Sequence, residues 1–292
     1  MMALVKTTDH THLIADAFLS FCQVDIAAHS GRGKGLQGIR THAGQHLQGF
    51  PVDFRFHLLP LTVQLAKLLR ELCKMDFHWI RLHYLYPDEF TEELIDTIAQ
   101  EEKILPYLDI PMQHCNDTIL KAMNRRDTKA ELIALVHKLR ERIPNLVLRT
   151  SLIAGLPYEG EKELEELAQF IRDMRIERAG IFTFSPEEGT RAAQMPHVET
   201  EEAQRRTEIL VDVQSDIIDE YNESILGEER EILCEGFDSQ AQMFFGRSYA
   251  ESPDIDGRIY FTAEEEVQPG TFVMVRFTGV MDGEITGEMG EE

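Results

Sequence analysis

The sequence predicts a parallel α/β body followed by a small all-β barrel, and three observations predict it. Strand-like apolar runs alternate with amphipathic helices from about residue 63 to residue 186. A long polar helix with a single apolar stripe comes next. Beyond Gly227 the hydrophobic period changes from 3.6 to two.

The first regular element is a helix in which Leu65, Leu68, Leu69 and Leu72 recur at helical spacing. A strand over 78–84 follows, then a helix from Thr91 to about Glu101 with Leu94, Ile95 and Ile98 on one face. The run from Ile104 to Ile110 reads as a second strand, ended by Pro111. Thr128 and Glu131 form a capping-box pair ahead of Leu132, Leu135, Val136 and Leu139. A third strand runs from Leu146 to Ile153 and stops at Gly155. The next helix carries Leu164, Leu167, Phe170, Ile171 and Met174, and a fourth strand spans 180–184. Strands that alternate with helices imply right-handed crossovers and a parallel sheet. Ligands of such sheets gather at the carboxyl ends of the strands.

The long helix spans about 199–226, with Ile209, Val213, Ile217, Tyr221 and Ile225 as its stripe and Gly227 as its stop. Five short strands are predicted behind it, at 232–235, 243–249, 258–262, 271–277 and 283–287, with turns at Asp256-Gly257, Pro269-Gly270 and Asp282-Gly283. Five short strands in about sixty residues suit a closed barrel of the OB type. The first 62 residues differ: no acidic residue lies between Asp25 and Asp53, and neither period persists across 31–50. The expected domains are an irregular leader over 1–62, the α/β body over 63–226 and the barrel over 227–292.

A formal net charge of −23 over 292 residues repels phosphate backbones, so a general nucleic-acid-binding role is disfavoured. The same charge suits a basic protein partner. No apolar run is long enough to span a bilayer. Cys22, Cys73, Cys115 and Cys234 are scattered, 51, 42 and 119 residues apart, which excludes a CxxC pair and points to a reducing, cytoplasmic compartment. Cys115 reads as a packed free thiol despite its neighbour His114. His42 and His46 stand at i,i+4 spacing, either as two zinc ligands or as part of an unstructured segment.

Six stretches carry a resemblance. They are 79–87 (WIRLHYLYP), 105–114 (LPYLDIPMQH), 119–126 (ILKAMNRR), 148–155 (LRTSLIAG), 184–190 (FSPEEGT) and 246–250 (GRSYA). Together they resemble the RimO-type radical S-adenosylmethionine methylthiotransferases over about residues 64–288, the last stretch resembling their TRAM domain. The resemblance implies a partial (β/α) radical-SAM barrel followed by a TRAM barrel of OB-like form. It also implies S-adenosylmethionine and two [4Fe–4S] clusters as cofactors, and an aspartate of a small-subunit ribosomal protein as substrate. Attack on an unactivated C–H bond lies beyond acid–base side chains and requires such a radical cofactor.

The family's CxxxCxxC loop and its three further N-terminal cysteines have no counterpart in these 292 residues. An iron–sulfur cluster needs thiolates at fixed spacing. The expectation is therefore an N-terminally truncated or frame-disrupted chain that is inactive alone, a monomer with no catalytic residue and no metal ligand of its own. The alternatives are a non-catalytic fragment that binds the ribosomal protein, a remnant, or a relative of the transfer-RNA methylthiotransferases.

By resemblance, the cofactor-contacting positions are Gln113, His114, Arg149, Ser151, Gly155, Glu159 and Ser185, with Glu187 beside them. Other readings stand next to these. Gln113 and His114 could cap a turn, and a strand arginine such as Arg149 otherwise needs a buried carboxylate. The family's Gly-Glu-Thr after the proline is Tyr158-Glu159-Gly160 here, which puts the role of Glu159 in doubt.

Overall fold

The computed structural model describes residues 23–27 and 61–290. Cys22, His42 and His46 lie outside the described residues, and so does most of the segment expected to be an irregular leader. Five of its residues, Gln23–Ala27, form a strand, β1.

The body continues with α1 (Leu61–Cys73), β2 (Trp79–His83), α2 (Glu92–Gln100), β3 (Ile104–Asp109), α3 (Asp117–Ala122), α4 (Lys129–Arg142), β4 (Val147–Ala154), α5 (Glu161–Met174), β5 (Arg178–Thr183) and α6 (Thr200–Ser224). The sheet order is β1-β2-β3-β4-β5; β2 to β5 are parallel and β1 pairs antiparallel with β2. Each parallel strand neighbours the next one in sequence. Right-handed crossovers of that kind put every helix on one side, as in an arc of a (β/α) barrel.

The two sheet faces have different fates. Ile80, Leu82, Ile104, Leu108, Leu148 and Leu152 point toward the helices and join the main core. The alternate residues point the other way, and Trp79, Leu105, Tyr107 and Val147 pack against Ala250, Tyr249 and Phe272 of the second domain. Period-two alternation here separates two buried surfaces rather than core from solvent.

The helix signals hold at atomic detail. Thr128 caps α4: its hydroxyl accepts from the Glu131 N–H at 3.3 Å, while Glu131 accepts from the Thr128 N–H at 2.8 Å. Thr128→Ala is expected to lose about 1 kcal/mol of stability by urea denaturation; an unchanged midpoint would contradict this cap's contribution. Along α6 the buried stripe is Ala203, Arg206, Leu210, Val213 and Ile217, so Leu210 rather than Ile209 is fully covered. Past the helix, Gly227 takes φ +88° where a stop is predicted.

The second domain is a closed five-stranded barrel, order β10-β8-β7-β6-β9. Its strands are β6 (Glu229–Asp238), β7 (Met243–Arg247), β8 (Ile259–Thr262), β9 (Phe272–Met281) and β10 (Glu284–Met289). Ile232, Cys234, Ile259, Phe261, Val275, Phe277 and Ile285 fill it. No described helix is long and apolar enough to cross a membrane.

Candidate functional site

The β-barrel covers the amino end of the free sheet face; beyond the buried His83, Asp109 and Ser151 the carboxyl end opens at the half-buried Gln113 and Ile153 and the exposed Phe182. At the sealed end, Arg81 is fully buried and donates to the Tyr249 and Ser248 carbonyls at 2.6 and 3.0 Å. Arg149 lies 3.2 Å from Asp109 Oδ1 and 3.6 Å from Asp256 Oδ1. Arg178 bonds Glu251 at 3.0 Å, and the Tyr107 hydroxyl donates to Asp256 at 2.6 Å. Burial and the charge of Asp256 push the Tyr107 phenol far up, so it keeps the proton it donates. The carboxylate that a strand arginine needs is therefore supplied twice over for Arg149, within the sheet and from the β-barrel.

At the open end, β3 runs on through Pro111 to Gln113, which takes φ +69°. The Gln113 N–H donates to the Ser151 carbonyl at 2.8 Å, and its own carbonyl accepts from Ile153 at 2.9 Å. This ties the half-buried Gln113 to β4, beside Ser151. Ser185 follows β5 and is exposed, as is Glu187. The Phe182 ring, 54% exposed, stands at the end of β5. Gln113, Phe182 and Ser185 are the groups this end offers to a ligand.

His114, Gly155 and Glu159 are engaged elsewhere. His114 is fully buried, and its Nδ1 accepts from the backbone N–H groups of Cys115 and Asn116, both at 2.9 Å. A neutral ring bonded in this way carries its proton on Nε2. Nε2 faces Glu159 Oε2 at 3.4 Å. Glu159 Oε1 accepts from the Gly155 N–H at 2.9 Å and from Arg206 Nη1 at 3.1 Å, and Arg206 also reaches the Glu159 carbonyl at 2.7 Å. Gly155 has φ +81°, and a Cβ there would meet the Ala203 Cβ at 2.4 Å, so only glycine lets α6 approach β4 this closely. These three positions staple the loops after β3 and β4 to the start of α6. The sequence assigns no site role to Arg206, to Asp109 of the stretch 105–114 or to Asp256 of the turn Asp256-Gly257. Their signal is indirect: each answers a buried charge of opposite sign.

The three described thiols do not fit an iron–sulfur cluster. Cys73 is half-buried on α1, Cys115 is buried beside the Glu166 carbonyl at 3.7 Å, and Cys234 sits in the β-barrel core. Burial pushes Cys73 up to about 11 and Cys115 up to about 12, and raises Cys234, so all three stay protonated. Among the described residues no group of three His, Cys, Asp or Glu is placed to hold a metal.

Two family models match: the radical SAM superfamily over residues 58–171 and the TRAM domain over 226–289. Relatives named ribosomal protein uS12 methylthiotransferase RimO are similar over most of the chain. That of Symbiobacterium thermophilum is 39% identical, with 94% of this chain and 60% of the relative covered. That of Lachnoclostridium phytofermentans is 44% identical over 76% and 51%, and that of Geobacter sulfurreducens 41% over 79% and 52%. The first alignment reaches into the segment before residue 63. The chain spans about half to three fifths of the length of these curated relatives. On these matches the chain is similar to the radical SAM methylthiotransferases of the RimO type, with residues 58–171 matching a radical SAM part and 226–289 a TRAM part.

Proposed function

We propose that this chain is the radical SAM and TRAM portion of a methylthiotransferase for ribosomal protein uS12, and that alone it does not generate a radical. The observation that carries the reading is a sheet face sealed by the β-barrel at one end and open at the other, with Phe182 and Ser185 exposed and Gln113 half-buried where such sheets bind ligands. S-Adenosylmethionine, when bound there, is the source of the family's radical. In this chain Gln113 and Ser185 offer it polar contacts and Phe182 an aromatic face. Ser151 holds Gln113 in register through its backbone. His114, Gly155 and Glu159 support that end without lining it, and Arg149 belongs to the sealed end. Inactivity of the chain alone is supported by the spacing of its four cysteines and by the raised pKa of the three that are described.

Anaerobic reconstitution with ferrous iron and sulfide is expected to give no thiolate-to-iron absorption and no 5′-deoxyadenosine from S-adenosylmethionine. A stoichiometric cluster with cleavage of the cofactor would overturn the proposal of inactivity. A second reading, a non-catalytic module that binds the ribosomal protein, is favoured by the acidic balance, which suits a basic polypeptide better than transfer RNA. Capture of purified uS12 without cofactor cleavage would distinguish it.

A further inference from the structure

A cavity of about 550 Å³ opens where the start of β4, the end of α6 and the start of β6 meet, at the opposite end of the sheet from Gln113 and Phe182. Its size and its place between two domains are those of a small-molecule site. Leu146, Val147 and Ile225, all buried, give it an apolar wall.

The charged groups in it are ordered by depth. Arg230, 8% exposed, sits among the rings of Tyr249, Phe277 and Tyr221, whose centres lie 5.0, 5.5 and 5.9 Å from its guanidinium carbon. Its Nη1 donates to the Tyr221 hydroxyl at 3.0 Å. Its Nε and Nη2 both donate to one oxygen of Glu228, Oε2, at 2.9 and 2.7 Å. A guanidinium fork matches the two oxygens of a carboxylate, so this grip uses half of the match. The Glu228 side chain is 49% exposed, and a counter-ion so placed exchanges at low cost. Glu229 beside it is exposed as well, so two carboxylates stand at the mouth over one buried cation.

The phenols add donors. Burial pushes Tyr249 up to about 12 and raises Tyr221, so both keep their protons. Among the described residues nothing hydrogen-bonds the hydroxyl of the half-buried Tyr249, which lines the cavity. A positive charge inside, a free donor beside it and negative charge at the rim match a zwitterion that enters carboxylate first.

We propose that this cavity binds a free amino acid with an apolar side chain. The carboxylate replaces Glu228 on Arg230 and accepts from the Tyr249 hydroxyl, the ammonium meets Glu228 and Glu229, and the side chain lies on Leu146, Val147 and Ile225. The site is independent of the function proposed above. Isothermal titration calorimetry of the chain with three probes tests it: L-phenylalanine, 3-phenylpropionate, which lacks the ammonium, and phenethylamine, which lacks the carboxylate. L-Phenylalanine is expected to bind, and each single-charge probe to bind about tenfold more weakly or worse. Tyr249→Phe is expected to weaken L-phenylalanine about threefold with no loss of stability, since the hydroxyl has no protein partner to lose. Arg230→Lys keeps the charge without the fork and is expected to weaken it about tenfold. Glu228→Gln removes the competing carboxylate and is expected to tighten 3-phenylpropionate about tenfold. No binding of L-phenylalanine to the folded chain overturns the site, as does equal or tighter binding of either single-charge probe. Binding that neither Tyr249→Phe nor Glu228→Gln alters places the ligand elsewhere and overturns it too.

Discussion

Arg206→Ala is expected to cost about 3 kcal/mol or more in unfolding free energy, because it strips the cation from a buried carboxylate. Arg206 is 4% exposed on α6 and is bonded to the Glu159 carboxylate, the Glu159 carbonyl and Glu202. The Glu159 side chain is fully buried. Without Arg206 it keeps only the Gly155 N–H at 2.9 Å and the long approach of His114 Nε2 at 3.4 Å. Urea denaturation measures the loss. The decisive comparison is Glu159→Gln made in the Arg206→Ala background. A neutral amide still accepts from Gly155 but brings no unpaired charge, so the double variant is expected to be more stable than Arg206→Ala alone. If the two losses simply add, the charge argument fails and Arg206 acts through packing alone.

That staple shows which parts of the site sequence reasoning reaches. Capping residues and apolar spacing locate α2, α4, α5 and α6 because each is long enough to show a 3.6 period. The six-residue α3 is too short for that, and its start rests on Asn116 accepting from Thr118 and Ile119. In the β-barrel, β6 reads as Ile232 to Glu235 but runs from Glu229 to Asp238. Its inward positions include Arg230, 8% exposed and bonded to Glu228, and a buried arginine breaks the apolar alternation. Of the positions carried by resemblance, Gln113, Ser151 and Ser185 lie toward the carboxyl end, Arg149 lies at the sealed end, and His114, Gly155 and Glu159 are engaged with one another and with the start of α6. Their partners are less legible. Arg81 meets Ser248 and Tyr249, 167 and 168 residues later in the chain, a distance no local pattern encodes. A charged residue in a strand predicts that a counter-charge exists, without saying which one.

Asp256→Ala is expected to cost about 3 kcal/mol and to loosen the junction between the α/β body and the β-barrel. Asp256 comes from the connection between β7 and β8, and its Oδ2 accepts from the Tyr107 hydroxyl at 2.6 Å and from the Ser252 N–H at 2.8 Å. Alanine leaves both of these donors without an acceptor. Arg149 then keeps Asp109 as its only carboxylate among the contacts described. The apolar part of the junction, Trp79, Leu105, Tyr107 and Val147 against Ala250, remains, as do Arg178–Glu251 and the bonds of Arg81 to Ser248 and Tyr249, so the two units stay in contact but lose the polar link through Tyr107 and Arg149. Limited proteolysis is therefore expected to cut faster between α6 and β6, where Gly227 donates to Phe277 of β9. Asp256→Asn is the control: it retains one carbonyl acceptor for Tyr107 or Ser252 and is expected to lose about 1 kcal/mol. Equal losses for the two substitutions would mean that the charge facing Arg149 matters more than the acceptor. No loss for either would mean that apolar packing with the Arg81 and Arg178 bonds holds the β-barrel against the sheet, and that Arg149 needs no carboxylate from the second domain.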